Sequence, residues 1–176
     1  ICLTLADDVL TDRDGSVIPS EVSATATTLT LQPAVLNTTK NLGYCDLASA
    51  VAAADVDNTI QLQADITIPT TVTVDKAIML DLNGKVASYT PPTGGGYALV
   101  VSGSGALTVN DLVTGGAIRA IGWEGRGINV KEGGALVVNG GAIQGEYASV
   151  YVRANSSMIL NGGLIGGVNG AIQYSG

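Results

Sequence analysis

Segments of this chain repeat one another at an offset of 22 residues, and so short a repeat leaves few folds open. Gly127-Ile128-Asn129-Val130 matches Ser149-Val150-Tyr151-Val152 at that offset. Ala135-Leu136-Val137-Val138-Asn139-Gly140-Gly141 likewise matches Ser157-Met158-Ile159-Leu160-Asn161-Gly162-Gly163. Ala142-Ile143 and Leu164-Ile165 keep the register, and the pattern restarts at Ala171-Ile172-Gln173-Tyr174. A unit of this size cannot bury its apolar side alone and must stack on copies of itself. Within each unit, runs of four or five residues alternate, sending Leu136 and Val138, Met158 and Leu160, Val150 and Val152 to one side. Between the runs, Asn139-Gly140-Gly141 and Asn161-Gly162-Gly163 supply the left-handed backbone that sharp corners need. Asparagines stacked at successive corners can also ladder through their amides. The chain from about residue 59 to residue 176 therefore reads as all-β, a right-handed parallel β-helix with three strands per coil. Each coil rises by about 4.8 Å, so five give a rod of roughly 25 Å.

Earlier coils are looser. Leu80-Asp81-Leu82-Asn83-Gly84 and Leu107-Thr108-Val109-Asn110-Asp111 read as occupants of the slot held by Leu136-Val137-Val138-Asn139-Gly140. Ala98-Leu99-Val100-Val101 precedes the second as Gly127-Ile128-Asn129-Val130 precedes the third. Their longer spacing is assigned to loops at residues 89–96 and 122–125. Composition agrees with many short buried strands and tight turns. There are 24 Gly, no Phe and no His, and only 13% of residues are charged, against about a quarter in ordinary globular domains. No apolar run approaches the ~20 residues of a membrane span.

Ahead of the solenoid, residues 45–58 hold a capping helix and a link. Asp46 is a natural N-cap, and Leu47, Ala50, Val51 and Ala54 share one face. Laid over the first coil, such a helix covers its strand edges and apolar end. Residues 1–44 form an arm outside the repeat. Ala26-Thr27-Thr28-Leu29-Thr30-Leu31-Gln32 alternates as a strand, and Cys2-Leu3-Thr4-Leu5 is a second candidate. Residues 7–16 and 37–41 read as polar links. The arm either folds onto its own solenoid or adds to a neighbour's strand edge.

The order of helix, Asn58-Thr59-Ile60-Gln61-Leu62, Asp65-Ile66-Thr67-Ile68 and Lys76-Ala77-Ile78-Met79-Leu80-Asp81-Leu82-Asn83-Gly84 resembles the start of pectate-lyase-like β-helices. More narrowly, it is similar to repeat-rich bacterial cell-surface β-helix proteins, in which a Leu-Asp-Leu-Asn-Gly rung is followed by glycine-rich rungs. The resemblance runs from Leu47 to Gly176. It implies an extracellular or cell-surface location, with rungs that serve as scaffold.

Charge is uneven. Up to Asp75 there are ten acids against Arg13 and Lys40; from Lys76 onward five acids face six bases. Nucleic acid is not an expected partner, because phosphate binding needs a basic face. Polysaccharide hydrolysis needs two carboxylates converging some 5–10 Å apart. The solenoid acids Asp65, Asp75, Asp81, Asp111, Glu124, Glu132 and Glu146 share no repeat column, and neither do Arg119, Arg126, Lys131 and Arg153. With no histidine for acid–base work, the chain reads as no enzyme.

Other candidates are local. Asp12, Asp14 and Glu21 fall at positions 3, 5 and 12 of a calcium-loop spacing around Gly15. Position 1 is Leu10, so a solvated turn is the competing reading, and calcium is the one cofactor suggested. Trp123, in a glycine-flanked loop, with Tyr147 and Tyr151, could stack on carbohydrate; otherwise these rings line the side of the rod. Cys2 and Cys45 are either free thiols or one disulfide pinning the arm, which requires an oxidising compartment. Asn37-Thr38-Thr39 and Asn155-Ser156-Ser157 match the glycosylation sequon. The last coil begins at residue 170 and stops without a polar cap, so self-association through that open end or through the N-terminal strand is expected. The whole reads as a non-catalytic extracellular structural or adhesive module, with surface carbohydrate as a candidate partner and end-to-end assembly into a filament in view. A fragment of a carbohydrate-binding or carbohydrate-cleaving β-helix protein and a virion fibre component remain alternatives.

Overall fold

The computed structural model describes residues 4–6, 9–11, 32–167 and 170–175. In the arm, β1 (Thr4–Ala6) pairs antiparallel with β2 (Val9–Thr11), so a strand stands where the sequence suggested only a polar link. Val9-Leu10-Thr11 is too short a run to show alternation against its acidic flanks. A second hairpin pairs β3 (Val35–Asn37) with β4 (Leu42–Tyr44), and the polar link expected over residues 37–41 is its turn, at residues 38–41. The helix α1 (Leu47–Ala53) starts where expected, with the Asp46 side chain accepting from the Ser49 N–H at 2.7 Å. Its buried face is Leu47, Ala50 and Val51. At its other end Lys40 Nζ donates to the Ala53 carbonyl, and Lys76 Nζ donates to those of Ala52 and Ala54. Two cations thus meet the carbonyls that a helix C-terminus leaves without partners.

The solenoid follows as five coils of three strands. The first is β5 (Asn58–Leu62), β6 (Ile66–Ile68) and β7 (Val72–Val74); the second is β8 (Ala77–Asp81), β9 (Val86–Tyr89) and β10 (Gly96–Val101). The third is β11 (Ala106–Asn110), β12 (Ala117–Ala120) and β13 (Gly125–Val130), and the fourth is β14 (Ala135–Val138), β15 (Ala142–Gly145) and β16 (Ala148–Arg153). The last is β17 (Ser157–Leu160), β18 (Leu164–Gly167) and β19 (Ile172–Ser175). Corresponding strands stack into three parallel sheets, here sheet I (from β5 to β17), sheet II (from β6 to β18) and sheet III (from β7 to β19). Sheet I is extended by β3, which pairs antiparallel with β5, and by β4 beyond it. Residues 35–44 therefore lie on their own solenoid.

The 22-residue offset is the strand register itself: Leu136 pairs with Met158, Ile143 with Ile165 and Ile128 with Val150. The earlier assignment slips by two residues. Leu107 pairs with Ile78 and Asn110 with Asp81, rather than Leu107 with Leu80. A two-residue slip preserves which side chains face inward, so alternation cannot detect it. The surplus length of the third coil also lies partly in an unexpected place. Besides 122–125, the corner at residues 111–116 bulges, with Leu112 79% and Val113 56% exposed.

Inward side chains form a continuous core. Ile60, Ile78, Leu80, Leu107, Val109, Leu136 and Val138 line the sheet I side. Ile68, Ala87, Ile118 and Ile143 line that of sheet II, and Val72, Leu99, Ile128 and Val150 that of sheet III. The first coil is covered by α1 and β3. At the other end Met158 and Ile165 are only partly buried, while Leu160, Ile172 and Tyr174 are exposed despite facing inward by register. No helix is long and apolar enough to cross a membrane among the described residues.

Candidate functional site

The corners of the coil show what four of the solenoid's seven acids do. The Asp81 carboxylate, almost wholly buried, accepts from the Asn83 and Leu112 N–H groups through Oδ1 and from Gln61 Nε2 through Oδ2. Asp111 returns the contact, accepting from Gly84 N–H through Oδ1 and from Gly116 N–H through Oδ2, both at 2.8 Å. Each acid thus clips a backbone amide in the other's coil. Asp65 does the same to Val86, and Glu146 to Gly122. The asparagine ladder forms beside them: Asn161 donates to Asn139 at 2.8 Å and Asn139 to Asn110 at 2.9 Å. Asp81 continues that column, while Asn83, with φ 50°, turns the chain and donates to Leu62 O.

The expected aromatic residues do not form one cluster. Trp123 stands 83% exposed at the corner between sheets II and III. Tyr147, at the same corner one coil on, stacks on the Arg126 guanidinium at 4.4 Å, with Tyr97 on that cation at 5.6 Å. Arg126 also faces Glu124 at 3.9 Å. Tyr151 lies on β16, four residues or about 13 Å along the strand, and stacks on Arg153 at 4.8 Å. Tyr147 and Tyr151 are therefore occupied by separate cations, leaving Trp123 as the open ring. Lys131 and Arg153 do share a column, at the same corner of successive coils, contrary to expectation. Both are engaged, Lys131 with Glu132 at 2.8 Å and Arg153 with Asn129 at 3.2 Å.

Asn37 is not presented to a modifying enzyme. It is fully buried, donating to Asn58 Oδ1 at 2.7 Å and accepting from the Lys40 N–H. The sequon reading there gives way to a hairpin-closing role, because a three-residue motif carries no information on burial. Asn155 is exposed with φ 60°. Cys45 is disulfide-bonded. Cys2, the calcium candidates Asp12, Asp14 and Glu21, and all but Gln32 of the strand proposed over residues 26–32 lie outside the described residues.

The surface that sequence reasoning missed is the outer face of sheet II. Its outward column runs Thr67, Ser88, Arg119, Gln144 and Gly166. Two depressions meet at Arg119. One is bounded by Ile121, Gln144, Glu146 and Gly166, the other by Asp111, Thr114, Asn139 and Leu164. Arg119 Nε donates to Gln144 Oε1 at 2.8 Å. A signal was present, since Ala117-Ile118-Arg119 and Ala142-Ile143-Gln144 share their first two residues. Their offset of 25 rather than 22 hid it.

Comparison with protein-family models, with curated proteins and with solved structures finds no match for this chain.

Proposed function

We propose that this chain is a non-catalytic extracellular β-helix module with a structural or adhesive role. The observation that carries the reading is the use of its acids. Asp65, Asp81, Asp111 and Glu146 each hold a backbone amide of another segment of the coil. Carboxylates committed to amides in this way stiffen corners and are not poised to exchange protons with a substrate. The disulfide at Cys45 supports an oxidising compartment such as the cell exterior.

The reading is tested by incubating the purified protein with neutral, uronate and sulfated polysaccharides and measuring new reducing ends and unsaturated products. No product is expected. Product release that disappears in a folded Glu146→Gln or Asp65→Asn variant would overturn it.

A further inference from the structure

Three arginines lie among the described residues of the solenoid, and two of them are spoken for. Arg126 is held by two tyrosine rings and Glu124, and Arg153 by Tyr151 and Asn129. Arg119 differs. It is exposed, touches neither carboxylate nor ring, and makes one side-chain hydrogen bond, from Nε to Gln144 Oε1. That bond occupies one of the two lone pairs of Gln144 Oε1 and ties the two side chains together. The two Nη groups of Arg119 and the Nε2 amide of Gln144 remain as donors. The acids bordering the two depressions keep their charge but form no ion pair with Arg119 and are turned to backbone amides. Asp111 has both oxygens on backbone amides, and Glu146 has Oε2 on the Gly122 N–H. One oxygen of Glu146 is left to accept from a hydroxyl.

Space is available above the donors. Gly166 follows Gln144 in the outward column, and a Cβ built there meets nothing within 4 Å. The two depressions join at Arg119 along the strand direction, which gives an open trough rather than a closed cavity. Ile121, 52% exposed, lines one depression and Leu164 the other, and Trp123, 83% exposed, stands two residues beyond Ile121 at the corner between sheets II and III. The occupant that matches is linear, rich in acceptors, sparsely charged and able to lay flat apolar faces against side chains. Densely charged nucleic acid does not fit, since the one arginine without an ionic or ring partner among the described residues of the solenoid cannot neutralise a run of phosphates.

We propose that the outer face of sheet II binds an anionic polysaccharide, whose carboxylate or sulfate groups are held by Arg119 and Gln144 and whose sugar rings rest against Ile121 and Trp123. This rests on the adhesive reading above and names the face that adheres. The planar guanidinium fork pairs with either anion through parallel charge-assisted bonds.

Three polymers on one backbone test it: carboxymethyl-dextran and dextran sulfate, both of low degree of substitution, and unmodified dextran, each immobilised and probed by biolayer interferometry with the full chain. Binding to one or both charged polymers and not to dextran is expected, and the polymer retained names the anion. Arg119→Gln should weaken binding about tenfold or more, with part of the loss restored in Arg119→Lys. Gly166→Tyr, which fills the trough from a position two strands away from Arg119, should weaken it comparably, and Trp123→Ala should also reduce it. All these positions are exposed or open, and circular dichroism confirms that each variant is folded. Equal retention on dextran, no retention on any polymer, or undiminished binding by both Arg119→Gln and Gly166→Tyr would overturn the proposal. Cleavage of a polymer would overturn only the non-catalytic reading, whereas absent binding without cleavage would overturn only this one.

Discussion

Replacing Asp111 by alanine separates a corner clip from a catalytic acid. The side chain accepts two backbone hydrogen bonds at 2.8 Å, from Gly84 and from Gly116. Gly84 lies 27 residues away, in the previous coil. Gly116 is buried, so water cannot readily replace the lost acceptor there. Bonds to a charged group contribute about 1.5–3 kcal/mol each, and a stranded buried donor costs a similar amount. Asp111 is partly solvated, which places each bond near the lower limit and the total near 3 kcal/mol. For a chain of this length that lowers Tm by roughly 6–12 °C. Asp111→Asn keeps one acceptor oxygen but turns an amide donor toward the other N–H, so about 2 kcal/mol is expected. Thermal unfolding followed by circular dichroism measures the shift, and amide hydrogen exchange localises it. Protection should fall at Gly84 and Gly116 before it falls at Leu136 in the core. A variant melting within about 1 °C of the parent, with both amides still protected, would refute the clip.

Other perturbations probe separate parts of the rod. A Cβ at Gly105 would overlap the carbonyl oxygen of Val74 in the preceding coil, so Gly105→Ala should cost about 2–3 kcal/mol in urea unfolding. Gly103→Ala, at φ +63° with nothing nearby, carries backbone strain alone and should cost about 1 kcal/mol in the same measurement. Asn139→Ala breaks two exposed rungs of the amide ladder and should cost about 1 kcal/mol, read from Tm. Ile143→Ala empties a fully buried site and should lose about 3 kcal/mol. Ile165→Ala, one coil on and only partly buried, should lose about 1 kcal/mol, and equal losses would contradict an open last coil.

Much of this molecule is written locally. Alternating short runs, Asn-Gly corners and the offset linking Leu136 to Met158 are properties of neighbouring residues. They determine an all-β solenoid and the coil from Gly127 onward in its true register. The helix over residues 47–53 follows as directly, from one N-cap and one apolar face. Other features depend on residues distant in sequence. The pairing of Leu107 with Ile78 rather than Leu80 is set by how many residues each corner absorbs, and strand periodicity is blind to shifts of two. Whether Asn37 accepts a sugar or closes a hairpin depends on Asn58, 21 residues away. Asp111 is an acid of no stated purpose until Gly84 is brought against it. The trough on sheet II is likewise a product of stacking. Arg119 and Gln144 are 25 residues apart, and their donors converge because successive coils are held at the spacing of neighbouring strands. Local patterning thus decides which side of each strand is buried, and the corners decide which residues become neighbours on the outside.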